Sequence, residues 1–144
     1  MLKEVKNVFG RTFYRVEFNK PLNIIVAEWY GTASQQDLGK ALIAGLEMHE
    51  HTHCAYRLND NTNFSGPWAE SVAWLEQVWL PRAYEAGIRY LAHVARPNSF
   101  GETAGEVMMM GKIGATIEVR IFQDKAGALN WLKAKQETSQ RPAK

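Results

Sequence analysis

Residues 55–87 read AYRLNDNTNFSGPWAESVAWLEQVWLPRAYEAG, and the reading of this stretch decides the fold. Tyr56 and Leu58 alternate with polar neighbours, as in a short strand. They lead into Asn59-Asp60-Asn61, whose short side chains favour turns and stop strands. Ser65 and Gly66 stand where a helix N-cap belongs, and Pro67 suits a first turn, where its missing N–H costs nothing. Trp68, Val72, Leu75 and Trp79 follow at spacings of four, three and four, which puts them on one buried helix face. Pro81 interrupts that helix, so a kink or break before Arg82 is expected, with Gly87 as the final stop. The unit is a strand, a strand-to-helix loop over 59–71 and a long helix. Such loops carry function in α/β folds because free backbone N–H groups point outward there.

Upstream, residues 4–18 contain two candidate strands around a Gly10-Arg11 turn. Tyr14, Val16 and Phe18 alternate with Arg15 and Glu17, so one face is wet. Asn19-Lys20-Pro21 breaks this strand, and a third begins at Ile24-Ile25-Val26-Ala27, apolar enough to be central. Ser34 and Asp37 form a capping pair for a helix over about 35–52, with Leu38, Ala41, Leu42, Gly45, Leu46 and His49 on one face. Downstream, Ile88 to Ala95 reads as an interior strand. Ser99-Phe100-Gly101-Glu102 is a capping box opening a helix that ends near Gly111. Ile117, Val119 and Ile121 mark an edge strand, and Asp124 caps a last helix with Ala128, Leu129 and Leu132. Three strands joined by short turns imply an antiparallel meander; the strand–helix alternation that follows demands a largely parallel run. The fold class is therefore α/β, a mixed sheet of about six strands with four helices, in a single domain over residues 1–136 and a polar tail over 137–144.

A chain of 144 residues fits one domain, and 46% apolar with 22% charged residues suits a globular protein. The net charge of +2, with no basic run, argues against nucleic acid as a partner. No apolar run approaches the ~20 residues of a membrane span, and MLKEVKNVFG lacks the apolar core of a signal peptide. Cys54 is the only cysteine, which excludes an internal disulfide and points to a reducing cytoplasm.

The order of these elements resembles the SpoIIAA-like family of small bacterial proteins, which share the STAS and CRAL-TRIO type of fold. The resemblance lies in Trp29-Tyr30-Gly31, in Leu58-Asn59-Asp60, and in Trp74 with Trp79-Leu80-Pro81-Arg82-Ala83. It continues in Gly87-Ile88-Arg89-Tyr90-Leu91-Ala92 and Ala128-Leu129-Asn130-Trp131-Leu132, and spans roughly residues 8–133. It implies helices packed on a mixed sheet, no metal, no cofactor and no catalytic residues. Anti-sigma-factor antagonists of this fold carry a phosphorylatable serine beside a glycine at the second helix N-terminus, and Ser65-Gly66 occupies the matching place. Asn63-Phe64 differs from their Asp-Ser. CRAL-TRIO relatives instead hold lipids in an apolar cleft.

Several groups of residues compete for a functional role. Ser65 with Gly66, Asp60, Thr62 and Asn63 reads as a phosphoacceptor or binding loop, whose phosphate would face the N–H groups of Trp68 and Ala69. Turn chemistry alone also accounts for each of these residues. His49, His51 and His53 would share a face only on a strand, and on a helix only His49 and His53 would. Lying at a helix end, they read as solvated histidines capping its dipole rather than as a metal site, and a metal-dependent enzyme is a minor alternative. Trp68, Trp74, Met108 and Met109 suggest an apolar-ligand or partner surface, although ordinary packing competes. No G-x-S-x-G, glycine-rich phosphate loop or C-x-x-C is present, and a triad of Asp60, His93 and Ser65 would need tertiary geometry to justify it. His93, within an apolar strand, reads as a hydrogen-bonded core residue.

The sequence thus points to a non-catalytic regulatory or binding module that acts through the 59–71 loop, with Ser65 as the site of any control by phosphorylation. The alternative is a carrier of an apolar, lipid-like ligand in an aromatic and Met-lined cleft. Its partner would be a protein or a small apolar ligand, with a homodimer as a further option.

Overall fold

The computed structural model describes residues 1–65 and 69–139. Six strands form one sheet in the order β1 to β6: Leu2–Lys6, Thr12–Asn19, Ile24–Gly31, Tyr56–Phe64, Tyr90–Val94 and Glu118–Phe122. β1, β2 and β3 pair antiparallel, and β3 through β6 pair parallel. Gly10 turns the first hairpin with φ of 78°, a conformation that side-chain-bearing residues rarely adopt.

Five helices accompany the sheet among the described residues, one more than expected. α1 is Gln35–Thr52. α2 runs through Ala69–Trp74, a π-helical turn Leu75–Trp79 and Leu80–Ala86 without a break. α3 is Phe100–Met110, α4 is the unanticipated short helix Lys112–Thr116, and α5 is Lys125–Ser139. α1, α2 and α3 cover one face of the sheet, and α5 packs across β4, β5 and β6 on the other. There Tyr56 stacks on Tyr90 with ring centres 5.3 Å apart, and Tyr90 meets the edge of Trp131.

Three of the caps form where the sequence places them. Ser34 Oγ accepts from the Asp37 N–H, Ser99 Oγ from the Glu102 N–H, and an Asp124 carboxylate oxygen from the Gly127 N–H. Three expectations need correction. Asn59-Asp60-Asn61 does not end β4, which continues to Phe64. Asp60 instead accepts from both the N–H and the hydroxyl of Thr62, and between Asp60 and Asn63 two β4 residues oppose one of β3. The turn chemistry is spent on a β-bulge inside the strand. Pro81 does not break α2 either. Leu80 N–H bonds to Leu75 O, five residues back, and this widened turn takes up the i−4 clash that proline would otherwise cause. Finally, α5 continues to Ser139, past the expected start of the tail at Glu137.

Candidate functional site

Between the sheet and α1, α2 and α3 lies a cleft of about 30 Å³. Its floor is Trp29 on β3, Arg57 and Asn59 on β4, and Leu91 and His93 on β5. Strand alternation brings these side chains to one face, and the parallel register sets Arg57 opposite Leu91 and Asn59 opposite His93. Its walls are Leu42 of α1, Val72, Leu75 and Trp79 of α2, and Ala104 and Met108 of α3.

A chain of hydrogen bonds crosses the floor. Trp29 Nε1 donates to Asn59 Oδ1 at 2.7 Å, Asn59 Nδ2 lies 3.2 Å from His93 Nδ1, and His93 Nε2 lies 2.7 Å from Gly101 O. An indole N–H only donates and a carbonyl oxygen only accepts. The ends therefore set the middle: Asn59 donates to Nδ1, and His93 is neutral with its proton on Nε2, donated to Gly101. Burial lowers the His93 pKa, against the raising effect of Gly101 O and of the Asp60 charge. Gly105 leaves room for the ring, since a Cβ there would lie 2.6 Å from His93 Cδ2.

Arg57 is only 3% exposed. Its Nη2 donates to Tyr14 Oη at 3.2 Å, and its guanidinium carbon lies 6.0 Å from the Trp79 ring centre. None of the ion pairs among the described residues includes Arg57, and Nη1 has no hydrogen-bond partner there. Trp79 Nε1 is likewise buried and unpaired. Gly45 of α1 seats the guanidinium, because a Cβ at that position would lie 3.0 Å from Nη1 and would overlap the Tyr14 hydroxyl. Burial also raises the Tyr14 pKa, although Arg57 pulls it back.

The sequence-derived candidates fall in different places. Met108 lines the cleft, whereas Met109 is exposed on α3 beside Val107 and Met110. Trp74 is half-buried and lines a separate groove of about 150 Å³ between α1 and α2 that shares Leu42 with the cleft. Gly66, Pro67 and Trp68, and with them the expected cap and its free N–H groups, lie outside the described residues. Ser65 is exposed, donates its N–H to Gly31 O at 2.7 Å, and lines an open groove with Arg96, Asn98 and Ser99. Asp60, Thr62 and Asn63 belong to β4. Alternation turns Asp60 to the sheet face away from His93, whose Nδ1 takes Asn59 instead, so the imagined triad is not assembled.

The histidine string divides. His51 and His53 are exposed, and His53 ends α1 in a left-handed conformation with φ of 55°. His49 is fully buried, which corrects the expectation of a solvated dipole cap. It shares the inward face of α1 with Leu42 and Leu46, and its Nδ1 donates to Cys54 O at 3.0 Å. Burial, aided by the charge of Arg57, pushes its pKa down to about 3. Among the described residues no three His, Cys, Asp or Glu side chains cluster as metal ligands, and no helix is long and apolar enough to cross a membrane. Sequence reasoning missed Arg57 and Asn59. Their only signal was a long polar and a short polar side chain at alternate positions of an otherwise buried strand.

This sheet order and helix placement match a crystal structure of an uncharacterised protein of the DUF3478 family, with a SpoIIAA-like fold, from Shewanella loihica PV-4. The TM-score is 0.55 over 83% of this chain and 91% of that one, at 20% sequence identity. The fold is SpoIIAA-like. No protein-family model and no curated protein sequence matches the chain. The SpoIIAA-like architecture places the cleft between its sheet and the three helices of one face.

Proposed function

We propose that this SpoIIAA-like domain is a non-catalytic binding module that takes a small apolar ligand into the cleft beneath α2. The observation that carries this reading is the lining of the cleft, whose apolar walls of Leu42, Val72, Leu75 and Met108 surround two buried donors without partners, on Arg57 and Trp79. Apolar walls with a few convergent polar groups are the usual make-up of a small-molecule site. The π turn in the wall supports the same reading, since such turns recur at functional sites. A cleft of about 30 Å³ holds little more than a water or two, so α2 has to move outward to admit a larger ligand. The test is native mass spectrometry of protein purified from its own host, together with thermal unfolding against a panel of small apolar compounds. A co-purifying compound, or a panel member that raises Tm in a concentration-dependent way, is the expected result. No co-purifying mass and no shift with any compound would overturn the reading.

Exposure of Ser65 beside Arg96 favours a second, regulatory reading. A phosphate on Ser65 would add nearly two negative charges within a groove that already holds a guanidinium. A protein partner, or a second copy of the chain, that reads this surface would sense the change. Ser34 and Ser99 serve as helix caps with an acidic residue three positions on, and Ser71 is buried, so Ser65 is the preferred acceptor among these four. Phosphopeptide mapping after co-expression with the host's serine kinases is expected to find Ser65 modified. Partner binding that differs between Ser65→Ala and Ser65→Asp would accompany it; absence of both effects would leave Ser65 without a switching role.

A further inference from the structure

We propose that Arg57 and Trp79 together form a seat for a carboxylate, so that the ligand of the cleft is a small monocarboxylic acid with an apolar tail. This rests on the reading of the cleft as a binding site, and adds the chemistry of the head group.

A guanidinium does not give up its charge inside a protein. Buried charges are therefore paired, and one left unpaired is strongly destabilising. Arg57 is buried on a strand where leucine or methionine would pack without that cost. Among the described residues its contacts are one phenolic oxygen and the face of Trp79. The surroundings accommodate the charge rather than cancel it, since Gly45 opens the space that the guanidinium and the Tyr14 hydroxyl fill. Nη1 and Trp79 Nε1 are both hydrogen-bond donors, both are buried without a partner among the described residues, and the two residues that carry them line the cleft. The guanidinium carbon lies 6.0 Å from the Trp79 ring centre, so the side chains that carry these two donors are neighbours.

The charge count selects the head group. The two histidines nearest the site are neutral: His93 through its tautomer, held by Asn59 and Gly101, and His49 through burial. Among the described residues Arg57 is the one charged group that lines the cleft, so one negative charge balances it, and a phosphate dianion would leave a buried excess. Arg57 also presents a planar fork that matches a planar carboxylate. Leu42 borders both the cleft and the groove that Trp74 lines, so an apolar tail leaving the cleft on that side would meet this groove.

The test measures binding of octanoate and of 1-octanol to the full chain by isothermal titration calorimetry at pH 7.5. It uses wild type, Arg57→Met, which keeps bulk and removes charge, and Trp79→Phe, which keeps a ring and removes the donor. Wild type is expected to prefer octanoate by tenfold or more. Arg57→Met is expected to abolish the preference, and Trp79→Phe to weaken octanoate binding by several-fold. Equal binding of acid and alcohol by wild type, or an acid preference that survives in Arg57→Met, would overturn the carboxylate seat and leave an apolar cleft. Binding of neither compound would overturn the seat and the cleft together. Should Arg57→Met fail to fold, Trp79→Phe decides, and unchanged octanoate affinity in it overturns the seat.

Discussion

Asn59 and His93 face each other across β4 and β5, with Asn59 Nδ2 3.2 Å from His93 Nδ1 and the imidazole Nε2 turned to Gly101 O. The amide is a donor at this contact because its oxygen is committed to the Trp29 indole. Protonation of Nδ1 would set donor against donor, so the pair holds the imidazole neutral. Asn59→Asp exchanges that donor for an acceptor with a negative charge. The pKa of His93 should then rise toward or above the ordinary histidine value near 6.5, which NMR titration of the ring carbons will measure. Asn59→Ala removes the partner altogether and should destabilise the fold by about 1–3 kcal/mol in urea denaturation.

Stability should fall in mild acid. His49 is held down to about 3 by burial and the charge of Arg57, and His93 is lowered by burial. Both ionise near pH 6.5 in the unfolded chain. Below that pH the unfolded state takes up protons that the folded state refuses. The stabilisation is complete above pH ~6.5 and is lost as the pH falls, down to about 3 for His49, by up to ~1.4 kcal/mol per pH unit for that histidine, with His93 adding in the same direction. Urea midpoints between pH 7 and 4.5 will show the slope, and His49→Gln should reduce it. A loss that begins only below pH ~4.5 would assign the effect to carboxylates instead.

Two helical glycines should respond in opposite directions to alanine. At Gly105 the added Cβ meets His93 Cδ2 at 2.6 Å, so Gly105→Ala should cost about 1–3 kcal/mol through overpacking. At Gly39 nothing lies within 4 Å of the added Cβ, so Gly39→Ala should gain roughly 0.5–1 kcal/mol from helix propensity. Thermal unfolding of the two variants compares them directly.

Trp79 is 4% exposed, whereas Trp74 is half-buried at the groove between α1 and α2. Trp79→Ala should cost roughly 3–5 kcal/mol, as is usual for a buried tryptophan. Trp74→Ala should cost less and should change ligand uptake or self-association more than stability. Equal large losses, with unchanged uptake and association, would count against this division.

Local chemistry carried much of this protein's structure in readable form. The span of α1, the caps at Ser34, Ser99 and Asp124, the stop at Gly87 and the change from antiparallel to parallel strands all follow from spacing and side-chain type. These signals lie within a few residues of the structure they specify. Only the tertiary structure decided the fate of residues whose partners are distant in sequence. Asn59 looked like a turn former, but Trp29, thirty residues back, and His93, thirty-four ahead, keep it in a strand. Pro81 looked like a break, but packing of α2 holds the helix continuous and moves the distortion into a π turn. His49 looked solvated, yet the face it shares with Leu42 and Leu46 turns inward. Arg57 carried no motif at all, because a charge without a partner is a property of its surroundings. It emerges only when α1, α2 and the sheet close over the guanidinium and leave Nη1 and Trp79 Nε1 unpaired on two residues that line the same cleft.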